Sequence, residues 1–84
     1  MWTITAGKNV RRRLEGISNP DRERIINAMK NLKNHHELLD IKKMVGLPYY
    51  RLRVGKWRLI MDMNNDEHSI FIRALDTRGD VYKK

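Results

Sequence analysis

The chain has 84 residues, and its 18 lysines and arginines against 10 aspartates and glutamates give a formal net charge of +8. This length fits a single domain over residues 1–84, and the charge favours a polyanionic partner such as nucleic acid. The absence of cysteine excludes disulfides and thiolate chemistry, and without a long apolar run or a signal-peptide pattern we expect a cytoplasmic protein that does not bind membranes.

The first half of the chain predicts one strand followed by two helices. Residues 1–6 alternate apolar side chains with threonine, as a short strand does. Val10, Leu14 and Ile17 then follow at helical spacing. A second helix is predicted to begin at Asn19-Pro20, because proline is tolerated in the first helical turn. Two helices joined by a short turn are expected to pack as a hairpin on a sheet.

The second half predicts three further strands. We interpret residues 38–46 as a connector with apolar anchors. Residues 49–54, 57–63 and 68–75 are rich in strand-forming side chains, with turn residues at Gly55-Lys56 and at 64–67. The predicted fold is therefore α+β. It has an N-terminal strand, a two-helix hairpin and a three-stranded antiparallel meander, with both helices packed on one face of the sheet.

The Gly55-Lys56 turn determines which residues lie opposite each other. A two-residue loop places Arg53 opposite Arg58. Alternation then assigns one set of side chains to the core: Tyr50, Leu52, Val54, Trp57, Leu59, Met61, Ile70, Ile72 and Ala74. The other face carries Arg51, Arg53 and Arg58, together with Arg73, which the second turn is predicted to place opposite Arg58.

A sheet face built of arginines needs an explanation, because like charges directly opposite each other are destabilising. Guanidinium groups bind phosphates through paired hydrogen bonds, which favours a phosphate-binding face. The alternative is a solvent-exposed face whose arginines pair with Asp62, Asp66 or Glu67. The run Arg11–Arg13 on the first helix is either a solvated helix face or an auxiliary RNA contact.

Other kinds of site find little support in the sequence. The rings of the adjacent His35 and His36 would point about 100° apart on a helix, and no third metal ligand lies near them. The sequence has no glycine-rich phosphate loop, no serine–histidine–acid pattern and no paired catalytic carboxylates. We therefore expect neither a metal nor another cofactor.

Three segments resemble the RelE/ParE superfamily of toxins: 39–46 (LDIKKMVG), 50–60 (YRLRVGKWRLI) and 78–82 (RGDVY). The predicted order of strands and helices agrees with that family over nearly the whole chain. The resemblance implies the toxin of a type II toxin–antitoxin pair. RelE-like members are ribosome-dependent endoribonucleases that cut mRNA in the A site without a metal. The 2′-OH of the RNA attacks the adjacent phosphate and leaves a 2′,3′-cyclic phosphate and a 5′-OH.

The resemblance also implies functional positions. Arg58 and Arg78 would hold the scissile phosphate and offset charge in the transition state. Arg51 and Arg53 would position backbone phosphates or assist the leaving oxygen. Tyr82 would stack on a base and orient the 2′-OH, or take part in proton transfer. The sequence predicts further RNA contacts from other basic residues: Arg73, Lys56, Lys83, Lys84, Arg11 and Arg12.

The chain departs from the family pattern at two points. Family members often carry lysine at the positions of Arg51 and Arg53, and many have histidine at the position of Thr77. The motif therefore lacks a side chain that titrates near neutral pH, and positioning and electrostatics would carry the catalysis.

The resemblance implies three partners: the ribosome, mRNA and a cognate antitoxin that is acidic in part. The antitoxin would cover the arginine face or displace the C-terminal segment, and the toxin alone is expected to be a monomer. Two other functions remain open from the sequence. One is a ParE-like toxin that inhibits DNA gyrase by binding it. The other is a catalytically inert basic module that binds RNA or another partner on the same fold.

Overall fold

The computed structural model describes residues 1–77 of the chain. Its elements are β1 (Thr3–Ala6), α1 (Lys8–Glu15), α2 (Asn19–Asn34), a 3-10 turn (His36–Leu38), β2 (Asp40–Lys43), β3 (Tyr50–Val54), β4 (Trp57–Asn64) and β5 (Ser69–Asp76). The strands form one sheet in the order β1-β5-β4-β3-β2, with β1 parallel to β5 and the other neighbours antiparallel. The predicted α+β fold, with its N-terminal strand, helical hairpin and meander, is confirmed.

The sheet has one strand more than the sequence predicted. Residues 38–46, interpreted as a connector, contain β2, which pairs with β3 at the edge of the sheet. Ile41 is the single apolar residue of this four-residue strand, so alternation gives almost no signal for it. Lysines are common on edge strands, where they discourage pairing with other chains. The additional strand places Lys42 opposite Arg51.

Both helices pack on one face of the sheet and close a single core. The helices and their connection contribute Val10, Ile17, Ile25, Ala28 and Leu32. The strands contribute Leu52, Trp57, Leu59, Met61, Ile70, Ile72 and Leu75. Trp57 also ties the sheet to the start of α2, because its indole Nε1 donates to Asp21 Oδ2 at 3.1 Å. The opposite face of the sheet, which we call the outer face, is free of helices within residues 1–77.

The β3–β4 hairpin has the predicted register. Gly55 adopts a φ of 59°, a conformation that residues with a Cβ rarely accept, and this closes the two-residue turn. Leu52 lies opposite Leu59, and Arg53 lies opposite Arg58. Because side chains alternate along a strand, the same register that buries the leucines places the arginines on the outer face.

The predicted register of β4 with β5 is wrong. Arg58 lies opposite Asp76 and not opposite Arg73. One cause is the turn: β4 continues through Asn64, and the chain reverses over 65–68, where His68 has a φ of 53°. The second cause is a bulge in the ladder between Ile60 and Met61, which the hydrophobic pattern of the sequence does not reveal.

The bulge changes which side chains of β5 enter the core. Leu75 is buried against the helices, whereas Ala74, predicted to lie in the core, pairs with Ile60 on the outer face. Arg73 lies opposite no residue of β4 in the strand register, because the bulge places two residues of β5 against one residue of β4. Within residues 1–77, no helix has the length and apolar character that crossing a membrane requires.

We expect Leu59→Ala to lower the free energy of unfolding by about 2–5 kcal/mol, because it leaves a cavity at the centre of the core. Leu59 has 0% exposure and lies between Leu52 and Leu75 in the sheet. The control Val45→Ala, at a side chain that is 99% exposed, should change the free energy by less than about 0.5 kcal/mol. Urea denaturation measures both, and equal effects would contradict the described core.

Candidate nucleic-acid interface

Two neighbouring rows of the outer face bring four basic residues together. Lys42 pairs with Arg51 in one row, and Arg53 pairs with Arg58 in the next. Directly opposite residues have Cβ atoms roughly 4.5–5.5 Å apart, so their side chains can reach a common ligand. We call Lys42, Arg51, Arg53 and Arg58 the basic patch. The three arginines lie together as the sequence predicts, while Lys42 was missed because its strand was not recognised.

A carboxylate lies at each end of the row that contains Arg53 and Arg58. Asp40 is opposite Arg53, with 3.9 Å between its Oδ2 and the arginine Nε. At the other end, Asp76 is opposite Arg58 and accepts a hydrogen bond from Arg13 Nη2 of α1 at 3.2 Å. The charges along the row are therefore negative at both ends and positive at the two central positions. The flanking carboxylates offset part of the repulsion between the two arginines.

Arg58 has the most constrained side chain of the basic patch. Its Nη1 donates to the Thr77 carbonyl oxygen at 3.1 Å. Its Nε is buried and has no hydrogen-bond partner within residues 1–77. An unsatisfied buried donor costs free energy, and a native protein that keeps one needs an explanation. Because this Nε is buried, the other guanidinium nitrogens of Arg58 are the donors that a phosphate from solvent can reach. Thr77 directly precedes Arg78, another predicted site residue.

The basic patch borders an apolar position. Ile60 continues the row of Lys42 and Arg51, and it is 2% exposed although it lies on the outer face. Ala74 follows it in the same row. A buried apolar side chain beside charged groups lowers the local dielectric, which strengthens their attraction to an anion. The basic patch therefore combines hydrogen-bond donors with a neighbouring buried apolar position.

Arg73 contacts other outer-face residues and stands apart from the basic patch. Its Nη1 lies 2.5 Å from Asp62 Oδ2, and its guanidinium carbon lies 4.8 Å from the centre of the Tyr49 ring. The hydrogen bond that Arg73 donates to Asp62 raises the pKa of Arg73 above its ordinary value. This pairing follows the alternative that the sequence left open. Tyr49 was not singled out, although its position two residues before Arg51 predicts the same face.

The remaining predicted contacts do not join the basic patch. Lys56 is in the β3–β4 turn, with its Nζ 3.8 Å from Asp21 Oδ2 of α2. Arg12 shares with Lys56 an open cleft of about 450 Å³ between that turn and the helices. Arg11 is exposed on α1. Four further predicted residues lie outside the described residues: Arg78, Tyr82, Lys83 and Lys84.

The arrangement suits the binding of a phosphodiester and the stabilisation of negative charge. The basic patch supplies fixed positive charges and directional donors, which act by positioning and electrostatics. In the part of the chain that the structure describes, no three histidine, aspartate or glutamate side chains cluster in a way that could hold a metal ion.

Solved structures of RelE toxins, both in complexes with antitoxins and alone, are similar to this chain. The archaeal RelE–RelB complex from Pyrococcus horikoshii OT3 matches with a TM-score of 0.80 and 25% identity, over 93% of this chain and 96% of that chain. The RelB–RelE antitoxin–toxin complex from Methanococcus jannaschii matches with a TM-score of 0.71 and 30% identity, over 94% and 95%. A variant of the E. coli toxin RelE in the free state shares the fold, with a TM-score of 0.74 at 15% identity, over 98% and 90%. No protein-family model matches the sequence, and no curated protein matches it significantly.

We expect Arg53→Gln to make the binding of single-stranded RNA less sensitive to salt. Each phosphate contact contributes roughly 0.7 to the slope of log K against log salt concentration, so losing one contact should reduce the slope by that amount. The control Lys30→Gln removes one charge from the exposed side of α2 and should leave the slope unchanged. Fluorescence anisotropy of a labelled RNA at several salt concentrations measures the slope for each variant. Equal slopes for Arg53→Gln and the unmodified chain would contradict the assignment.

Proposed function

Because this chain belongs to the RelE superfamily of toxins, we propose that it is the toxin of a type II toxin–antitoxin pair and that it cuts mRNA in the ribosomal A site. The observation that carries the proposal is the pair of arginines opposite each other on the outer face, Arg53 and Arg58. The hydrogen bond from Arg58 Nη1 to the Thr77 carbonyl oxygen, which holds this guanidinium in place, adds to it. Two arginines directly opposite each other lower the stability of the sheet. The binding of a phosphate between them offsets this repulsion.

Arg58 is proposed to hold the scissile phosphate. Its guanidinium group donates to a non-bridging phosphate oxygen, while the Thr77 carbonyl keeps Nη1 in place. The transition state carries more negative charge on these oxygens than the ground state does. A donor fixed before the reaction therefore stabilises the transition state more than it stabilises the substrate. Arg78 is proposed to share this role, from its position in the sequence.

The RNA is proposed to supply the nucleophile. The 2′ oxygen forms a bond to the adjacent phosphorus, the bond from phosphorus to the 5′ oxygen breaks, and the products carry a 2′,3′-cyclic phosphate and a 5′-OH. The 2′-OH loses a proton and the 5′ oxygen gains one. Arginine stays protonated near neutral pH. Positioning of the reacting groups therefore provides much of the rate enhancement. Tyr82 is proposed to orient the 2′-OH or to take part in the proton transfer.

The rest of the basic patch is proposed to hold the phosphates on either side of the cut. Arg51 and Arg53 lie two residues apart on β3, and Lys42 lies opposite Arg51. These side chains follow the strand direction, along which a single RNA strand can extend. The ribosome is proposed to present the codon, which explains how a small surface can select its substrate.

A cognate antitoxin is proposed to control this activity. The toxins from P. horikoshii and M. jannaschii are each solved in complex with RelB. For this chain, we infer an antitoxin that is acidic in part and that covers the basic patch or displaces the C-terminal segment. Acidic side chains over Arg51, Arg53 and Arg58 would match their charge and block access to phosphate. The isolated toxin is proposed to be a monomer.

We expect Arg58→Gln to slow the cutting of translated mRNA by about 100- to 1,000-fold, which is typical for the loss of one donor to a developing oxyanion. Primer extension on an mRNA under translation locates and quantifies the cuts. The control Arg24→Gln makes the same change of charge at an exposed position of α2 and should cut at the normal rate.

The same experiment separates the alternative functions. Cuts inside codons that appear when ribosomes are present support the proposal. Intact mRNA together with trapped gyrase–DNA breaks would replace it with gyrase inhibition. Intact mRNA without such breaks, while the chain still binds RNA, would leave an inert basic module.

A further inference from the structure

The outer face beyond the basic patch has a different composition. Thr5, Phe71 and Asp62 lie in one row across β1, β5 and β4, and Asn64 pairs with Ser69 in the next row. With Asn65 of the following turn, these residues line an open groove of about 540 Å³. This volume is within the range of small-ligand sites. We call it the outer groove.

The outer groove does not continue the phosphate-binding surface. Its lining includes two carboxylates, Asp62 and Asp66. The nearby cation, Arg73, is already paired with Asp62 at 2.5 Å. A carboxylate-lined groove whose neighbouring arginine is neutralised repels a phosphate group. A ligand group without negative charge is therefore favoured here.

The side chains of the outer groove suit a planar ligand with a polar edge. Phe71 lines the groove and is 40% exposed, so a ligand can reach part of its ring. Asn64 Oδ1 accepts a hydrogen bond from the Glu67 backbone N–H at 3.0 Å, which fixes the amide and leaves its NH₂ group available. Among the described residues, the side chain of Asn65 makes no hydrogen bond. An aromatic ring with amide and carboxylate groups beside it is how proteins bind unstacked bases.

Arg73 holds the Asp62 carboxylate of the outer groove in place. It stacks on Tyr49 and binds one oxygen of Asp62. The other oxygen of Asp62 can accept a hydrogen bond from the exocyclic amino group of a base. Arg73 is thus a positioning residue for Asp62. This role differs from the phosphate contact that the sequence predicts for it.

We propose that the outer groove binds one nucleobase of the RNA whose phosphates lie on the basic patch, an inference that rests on the proposed function. Phe71 is the stacking surface, and Asp62, Asn64 and Asn65 contact the edge of the base. Arg58 and Asp62 are four residues apart on β4, which is roughly 13 Å at the rise of a strand. An extended dinucleotide spans such a distance. The outer groove therefore contributes to the choice of codons that are cut.

The test combines a protein variant with an altered RNA. Phe71→Leu keeps an apolar side chain and removes the ring. An mRNA with one abasic nucleotide next to the cut removes the proposed ligand. With the unmodified protein, the abasic nucleotide should slow cutting by about tenfold. With Phe71→Leu, cutting should be slower on the normal mRNA, and the same abasic nucleotide should have little further effect.

Two controls show that the coupling is specific to Phe71. Arg58→Gln should slow the cutting of normal and abasic mRNA by the same factor, since it acts on the phosphate. Val45→Ala, at an exposed side chain that does not line the outer groove, should change neither rate. Asn65→Ala, in an exposed turn where folding is not at risk, should reduce the difference in rate between the best and worst bases at that position.

Other results would overturn the inference. Independent effects of Phe71→Leu and the abasic nucleotide, or no effect of either, would leave the proposed function standing without a base in the outer groove. If Phe71→Leu cuts normally but escapes inhibition by the antitoxin, the outer groove binds protein and not RNA. If the unmodified chain cuts no translated mRNA, the proposed function itself fails and the inference fails with it.

Discussion

The like-charge pair of Arg53 and Arg58 is the constraint around which this small sheet is organised. The two-residue turn at Gly55-Lys56 fixes the register, and that register buries Leu52 against Leu59 on one face while it places the two arginines opposite each other on the other face. A slip by one residue would exchange the two faces and lose the core. The free energy gained by burying the leucines therefore keeps the two arginines opposite each other. Asp40 and Asp76, at the two ends of the row, offset part of the repulsion between the arginines.

The same sheet supports two different environments on its outer face. Lys42 and the arginines of β3 and β4 form the basic patch, where an anion is favoured. Beyond Ile60 the surface changes to carboxylates, amides and the ring of Phe71, where a phosphate is disfavoured. The bulge in β5 lies between the two environments. It releases Arg73 from the strand ladder, and Arg73 then pairs with Asp62 and stacks on Tyr49. Such a division suits a ligand that carries both phosphates and bases.

The sequence predicts the elements and the β3–β4 hairpin well, because Gly55 and the alternating leucines and arginines specify both turn and faces. It does not predict β2, because Asp40–Lys43 contains a single apolar residue. The sequence also predicts the wrong partner for Arg73. The periodicity of apolar residues reveals neither the bulge nor the turn that ends at His68. For the candidate site, the sequence finds the three arginines of the basic patch. Lys42 is missed with its strand, and the row of Phe71 with Thr5 depends on the pairing of β5 with β1, which is distant in sequence.

The central claim is that the chain supplies charge and position while the RNA supplies the nucleophile. The most direct test uses ribosomes stalled on an mRNA with a single 2′-deoxy nucleotide directly 5′ to the scissile phosphate. The account predicts that the unmodified chain cuts the all-ribose mRNA to give a new 5′-OH end and leaves the 2′-deoxy mRNA intact at that position. Cutting of the 2′-deoxy mRNA at a comparable rate would contradict the account, because the attacking oxygen would then come from another source.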